Sequence, residues 1–186
     1  TSPNGVFSLK IHYMHLAQVG GFATLERLFP DARYVLLSRR DVLRQAVSLE
    51  LAIQTGVWIA GQKPVAENPR YDYATLHKRL RDSIVDTASW RYLLAGSGAR
   101  YVEREFEGVL RDPVRAVREI ADFLEIEVDP DEIPREMVTE RQGSGLNAEW
   151  AARFAADFDR AGALTPPRRW GLGERILHRL RRLAGG

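Results

Sequence analysis

Tyr34-Val35-Leu36-Leu37-Ser38-Arg39-Arg40-Asp41-Val42-Leu43-Arg44-Gln45-Ala46-Val47-Ser48 is the stretch that decides the fold. Its opening, Tyr34 to Leu37, follows the Pro30-Asp31 break and reads as a short buried-type strand. From Asp41 to about Ile59 a helical pattern takes over, so a strand delivers two arginines to a helix start, with Ser48 two turns inside. Positions 41, 45, 48, 52 and 55 are Asp, Gln, Ser, Ala and Thr. At the helical period they form one polar or small stripe on an otherwise apolar helix. Two readings fit the stripe. A phosphate uses it well, since guanidinium forks give bidentate charge-assisted bonds and a serine hydroxyl adds a donor. A solvated helix face with a salt bridge to Asp41 accounts for it equally well.

Outward from this centre, strands and helices alternate. Upstream, Val6 to His12 is β-like and follows the turn former Asn4-Gly5, and His15 to Phe29 carries a helical stripe across the weak point Gly20-Gly21. Downstream come a loop from Gly61 to Pro69 and a long helix from Tyr71 to Leu94. Gly96-Ser97-Gly98 stops that helix, and Tyr101 to Phe106 is a third strand. Pro113 to Leu124 is a helix with proline in its first turn, and Ala148 to Arg160 another. This alternation predicts an α/β fold, a three-layer sandwich with a mainly parallel sheet covered on both faces. Ligands gather at the carboxyl ends of such strands, which singles out Lys10 and His12, Ser38 to Arg40, and Phe106 with Glu107.

Composition narrows the functions. The 186 residues are 45% hydrophobic and 28% charged with a net charge of +2, which suits a globular domain and not a nucleic-acid binder. There is no cysteine, so thiolate metal sites, disulfides and cysteine nucleophiles are excluded, and His15, His77 and His178 lack metal-ligand spacing. No stretch approaches 18 apolar residues and no signal-like segment opens the chain. A cytoplasmic protein is the expectation. From Arg168 to Arg182 six arginines accompany a single acid, Glu174. Ile176, Leu177, Leu180 and Leu183 share a face there, so this tail either docks on the domain or lies on an anionic surface such as the inner membrane. The expected division is a domain over 1–163 and a basic amphipathic tail over 164–186.

Four quoted segments occur in order over about residues 1–160: Thr1-Ser2-Pro3-Asn4-Gly5-Val6-Phe7 with Lys10, the run from Arg39 to Ser48, Gln54-Thr55-Gly56-Val57-Trp58, and Glu140-Arg141-Gln142 with Trp150. In these the chain resembles the bacterial trehalose 2-sulfotransferase-like family. The resemblance implies a P-loop NTPase-like sulfotransferase fold. It also implies transfer of a sulfuryl group from 3′-phosphoadenosine 5′-phosphosulfate (PAPS), without a metal, to a hydroxyl of a carbohydrate or glycolipid. A homodimer is compatible with it. Arg39 and Ser48 would then hold the 3′-phosphate. The wider sulfotransferases space this pair eight apart, which favours Arg40; Arg39 keeps the family's register against Asp41 and is preferred, with Arg40 in reserve.

Arg141-Gln142-Gly143 followed by Trp150 is similar to the loop and tryptophan that close over the 3′-phosphate in cytosolic sulfotransferases. Glycine lets backbone N–H groups approach an anion while arginine supplies charge. Lys10-Ile11-His12 matches their Lys-x-His, in which histidine is the base and lysine can neutralise the bridging oxygen. His12 also reads as a strand-end packing residue, and the family resemblance points instead to an upstream carboxylate as base. Phe106-Glu107 stands where many sulfotransferases have Tyr-Glu, so Phe106 would stack on adenine without the hydroxyl. Trp58 and Trp90 read as core.

The serine- and glycine-rich loop that binds the 5′-phosphosulfate in sulfotransferases has no counterpart in the 186 residues, nor does any Walker-type glycine pattern. The expectation is therefore an incomplete sulfotransferase domain holding the 3′-phosphate half of a donor site and inactive by itself. A P-loop kinase or NTPase relative would need a nucleotide-phosphate loop and a magnesium-binding aspartate. A degenerate nucleotide-binding module without turnover is the third reading.

Overall fold

The computed structural model describes residues 5–59, 61–133, 145–160 and 162–165. The predicted strand at the centre is β1, Arg33–Ser38, and the predicted third strand is β2, Arg100–Glu105. They pair in parallel, with Arg33 opposite Arg100 and Ser38 opposite Glu105. Parallel neighbours need a long crossover. Here it contains α2, Val42–Thr55, and α3, Tyr73–Ser97. Asp41 caps α2 by accepting the Arg44 backbone N–H at 3.0 Å, and Asp72 caps α3 by accepting that of Thr75 at 2.7 Å. Helix α2 ends at Thr55 and not near Ile59, because Gly56 turns left-handed at φ +73°. A side chain at Gly56 would also meet Val65 Cγ2 at 2.9 Å, since the following loop folds back there.

Val6 to His12 is not a strand. The sheet of the described residues has two strands, and the segment, which belongs to neither, runs into a 3₁₀ helix, Tyr13–Val19. Residue alternation permits a strand, but only pairing makes one. The helical stripe beyond it breaks at Gly20-Gly21, both with positive φ, before α1, Phe22–Leu28. The sequence segment ending at Phe106 is a strand displaced by one residue from its pattern. Phe106 already opens α4, Phe106–Arg111, followed by α5, Pro113–Leu124, and α6, Gly145–Asp157.

The architecture is α/β with the small parallel sheet at its centre. One face of β1 offers Tyr34 and Leu36 to a core of Leu16, Phe22, Leu25, Trp90 and Leu94, supplied by the 3₁₀ helix, α1 and α3. The opposite face meets α5 through polar ties: Arg33 Nη1 donates to the Phe123 carbonyl at 3.0 Å, and Arg104 pairs with Glu119 at 3.3 Å. Val35 and Leu37 on that face stay 38% and 54% exposed. A second core lies among α2, α3 and α6 and is built from Val47, Leu76, Trp150, Ala151 and Phe154. The basic tail predicted over 164–186 falls almost entirely outside the described residues.

Candidate functional site

Because the two strands are in register, both end on one line, and their chains turn into α2 and α4 side by side. The β1–α2 junction contributes Arg39 and Arg40, and the β2–α4 junction contributes Glu105, Phe106 and Glu107. Arg40 forms an ion pair with Glu105 through its guanidinium, while its backbone N–H donates to Glu107 Oε2 at 3.1 Å. The Arg39 guanidinium carbon lies 3.9 Å from the centre of the Phe106 ring, a cation–π contact. Among the described residues Arg39 makes no salt bridge. Arg44 turns back to Asp41, Nε to Oδ2 at 3.4 Å.

Electrostatics follow from these partners. Burial alone would raise the Glu107 carboxyl, but backbone N–H groups led by that of Arg40 outweigh it and leave Glu107 below its ordinary value. Behind the junction, Arg91 of α3 donates from Nε to Glu103 at 3.1 Å. This pairing, opposed by burial and helped by the Ser38 hydroxyl, holds Glu103 below the usual carboxylate range. Ser38 itself is buried. The carboxyl edge of the sheet is thus a set of neutralised carboxylates around one stacked arginine without a salt bridge.

The predicted site residues divide. Arg39, Arg40 and Phe106 come together at the strand ends. Ser48 is half-buried, two turns into α2, on the stripe predicted to be polar or small; farther along that stripe Ala52 is buried and the Thr55 hydroxyl donates to the Leu51 carbonyl at 2.7 Å. Lys10 and His12 are exposed on the irregular segment before the 3₁₀ helix, not at the end of a strand. His12 meets His15 edge to face, with ring centres 5.7 Å apart. Burial first, then the charges of Lys10 and His15, lowers the His12 pKa, with Asp86 of α3 pulling the other way. The shift favours the neutral ring, the form able to accept a proton. Arg141, Gln142 and Gly143 lie outside the described residues.

Three aromatic expectations change or sharpen. Phe106 already carries the Arg39 guanidinium on one ring face, so at most its other face is open to an adenine. Trp150 is 3% exposed in the helical core, where Tyr71 meets it edge to face at 5.8 Å. Trp90 is core as predicted, but Trp58 is 58% exposed. Its loop is held from within, the Gln62 side chain accepting the backbone N–H groups of Trp58 at 2.7 Å and Ile59 at 3.1 Å.

Sequence reasoning placed Glu107 at a strand end but missed Glu105 and the pairing of both glutamates with the other junction. Two glutamates at one strand end and two arginines just past the other were the available signal. It also missed Glu50, 6% exposed, which accepts from Arg79 Nε at 3.0 Å and from Gln54 at 2.9 Å. Gln54 in turn brackets the Arg70 backbone, donating to its carbonyl at 3.0 Å and accepting its N–H at 2.7 Å. Among the described residues no group of three or more His, Asp or Glu is placed to hold a metal ion. No described helix is long and apolar enough to cross a membrane.

A parallel sheet collects its ligands at the carboxyl ends of its strands, where this one presents Arg39 beside a capped helix, and comparison with known proteins places the chain among the sulfotransferases. The Stf0 sulphotransferase family model matches residues 4–157, and the chain belongs to that family. Among curated proteins it is similar to the trehalose 2-sulfotransferase of Mycobacterium tuberculosis (strain ATCC 35801 / TMC 107 / Erdman), 29% identical over 133 residues, which is 71% of this chain and 49% of that protein. The chain spans about half the length of that relative.

Proposed function

We propose that the protein of which this chain is part transfers a sulfuryl group from PAPS to a hydroxyl of a carbohydrate, of the kind a trehalose 2-sulfotransferase uses, or of a glycolipid carrying such a sugar. Membership of the sulfotransferase family supports the reaction class. The observation that carries the donor reading is Arg39. It is a guanidinium at the carboxyl end of a parallel strand, without a salt bridge among the described residues, beside a helix whose second turn brings Ser48. Arg39 and Ser48 hold the 3′-phosphate in this reading, and Arg141, Gln142 and Gly143 complete its cover. Phe106 serves the adenine only with the face that Arg39 leaves open.

In the transfer the acceptor oxygen attacks sulfur and forms the new S–O bond. The bond from sulfur to the 5′-phosphate oxygen breaks, and adenosine 3′,5′-bisphosphate leaves with that electron pair. The acceptor proton goes to a base, for which neutral His12 is proposed, and Lys10 neutralises the leaving oxygen. Residues 1–163 form the transferase domain of a cytoplasmic protein and 164–186 a basic tail that docks on the domain or lies on an anionic surface such as the inner membrane.

The test uses the full-length protein with sulfur-labelled PAPS and trehalose. Label appearing in the sugar supports the reading, and its absence with trehalose and with trehalose glycolipids alike removes the acceptor class. Calorimetry tests the donor separately. Adenosine 3′,5′-bisphosphate should bind far more tightly than adenosine 5′-monophosphate, and Arg39→Ala should weaken it roughly 10- to 150-fold, as expected for one or two charge-assisted bonds. Equal affinities for the two nucleotides reject the donor site.

A further inference from the structure

The two junctions at the carboxyl edge of the sheet interlock residue by residue. Glu105 takes the Arg40 guanidinium, Phe106 lies under the Arg39 guanidinium at 3.9 Å, and Glu107 accepts the Arg40 backbone N–H at 3.1 Å. Adjacent arginines just past a strand are chemically equivalent until their surroundings separate them. We infer that Glu105, Phe106 and Glu107 act as a positioning triplet that gives the two arginines different tasks, locking Arg40 into the junction and presenting Arg39 to an anionic group of the donor. The inference rests on the reading of Arg39 as a phosphate ligand.

The physical basis lies in how each partner engages a guanidinium. A carboxylate takes the in-plane N–H donors and cancels the charge, so Arg40 would have to give up Glu105 before it could bind a phosphate. An aromatic ring engages only the face of the guanidinium. The five N–H donors in its plane stay available for a bidentate phosphate contact, and the positive charge is kept. The ring also restricts a long side chain that otherwise loses rotamer freedom on binding, which favours the bound geometry in advance. Glu107 fixes the backbone between the two arginines, so the direction in which each side chain leaves the chain is set by the same triplet. Phe106 thereby acts through Arg39, whatever its other face does.

Binding of adenosine 3′,5′-bisphosphate and adenosine 5′-monophosphate to the full-length protein, measured by calorimetry, tests the triplet with three substitutions. Phe106→Leu keeps an apolar side chain but removes the ring, and should weaken the bisphosphate about 2- to 5-fold, the size of one exposed cation–π contact, with the monophosphate unchanged. Glu105→Gln frees Arg40 at an exposed position and should strengthen the bisphosphate about 3- to 10-fold, as a second charge-assisted contact becomes available. The decisive comparison is Arg39→Ala, which should cost several-fold less in the Glu105→Gln background than in the wild type, since the released Arg40 substitutes for it. A merely structural role for Glu105 would not produce that rescue. Wild-type preference for the bisphosphate together with silent Glu105→Gln and Phe106→Leu variants overturns the triplet alone. No wild-type preference overturns the phosphate reading and the triplet with it.

Discussion

The two cores of the chain are built on opposite plans. The helical one is closed: Val47, Leu76 and Phe154 are fully or almost fully buried among α2, α3 and α6, and Tyr73 stacks on Phe154 with ring centres 5.0 Å apart. Among the described residues the sheet core is packed with apolar side chains on one side only. Aromatic residues fill the face toward α1 and α3, with Phe22 and Trp90 edge to face at 6.2 Å, while the face toward α5 relies on arginine–carboxylate ties and leaves Val35 and Leu37 open. Helix α2 belongs to both regions, since its start caps the strand-end site and its middle is buried in the helical core. The difference teaches that the site's arginines are held from the second strand and its junction, through Glu105, Phe106 and Glu107, while the helical core anchors α2 behind them.

The largest expected effect tests that asymmetry directly. Phe154→Ala should lower stability by about 3–5 kcal/mol, whereas Leu25→Ala in the sheet core should fall near the low end of the range of about 2–5 kcal/mol for such truncations. Urea unfolding followed by tryptophan fluorescence reads both, because Trp150 and Trp90 report one core each. Equal losses would break the contrast. Next comes the buried carboxylate. Glu50→Ala strands the partly exposed Arg79 and releases Gln54, and should cost about 2 kcal/mol, less than the loss of a fully buried pair because solvent reaches Arg79. A change below about 0.5 kcal/mol would move Glu50 from the packing of α2 on α3 to its surface.

Acid sharpens the comparison from the sheet side. Glu103 is held down by Arg91, Glu119 by Arg115, and Glu125 by Arg33 and Arg100, all below the ordinary value of 4.5. The folded state therefore binds fewer protons than the unfolded chain, and stability rises with pH through this window. Their contribution is complete above 4.5 and lost as pH falls through the depressed folded values. Thermal melts between neutral pH and strong acid should show a midpoint that declines below about 4.5, and Glu103→Gln should flatten the decline. A flat profile in the wild type would mean that these pairs do not hold the sheet. The smallest effect is expected at the open face, where Leu37→Ser should stay within about 0.5 kcal/mol, since the side chain is already half in water. A larger loss by urea unfolding would show that the face is packed.

What the sequence disclosed follows the same division. The strand from Tyr34, the helix after Asp41 and the proline-led helix from Pro113 are local signals of run, cap and breaker, and they were legible to within a few residues. Val6 to His12 misled because alternation records which residues suit a strand and not whether a neighbour exists to pair with. At the site, Arg39 and Arg40 stood out as charge at a strand end. Glu107 stood out at the other strand end, but its pairing and that of Glu105 with these arginines did not, since they lie far along the chain and only the parallel register sets them alongside. Trp150 looked like a loop-closing aromatic by its place after Gly143, yet helix α6 turns it into the core.

One carboxylate at the far end of the sheet has a consequence for how the molecule opens. Glu125 ends α5 in the left-handed conformation, at φ +57°, and from there pairs with both Arg33 and Arg100, the first residues of the two strands. Those arginines face each other in the register, so without Glu125 two like charges would sit side by side at the start of the ladder. A single side chain thus ties the last turn of α5 to the start of both strands. The amides of β1, β2 and the last turn of α5 should exchange with solvent as one cooperative unit, on a timescale separate from that of the helical block.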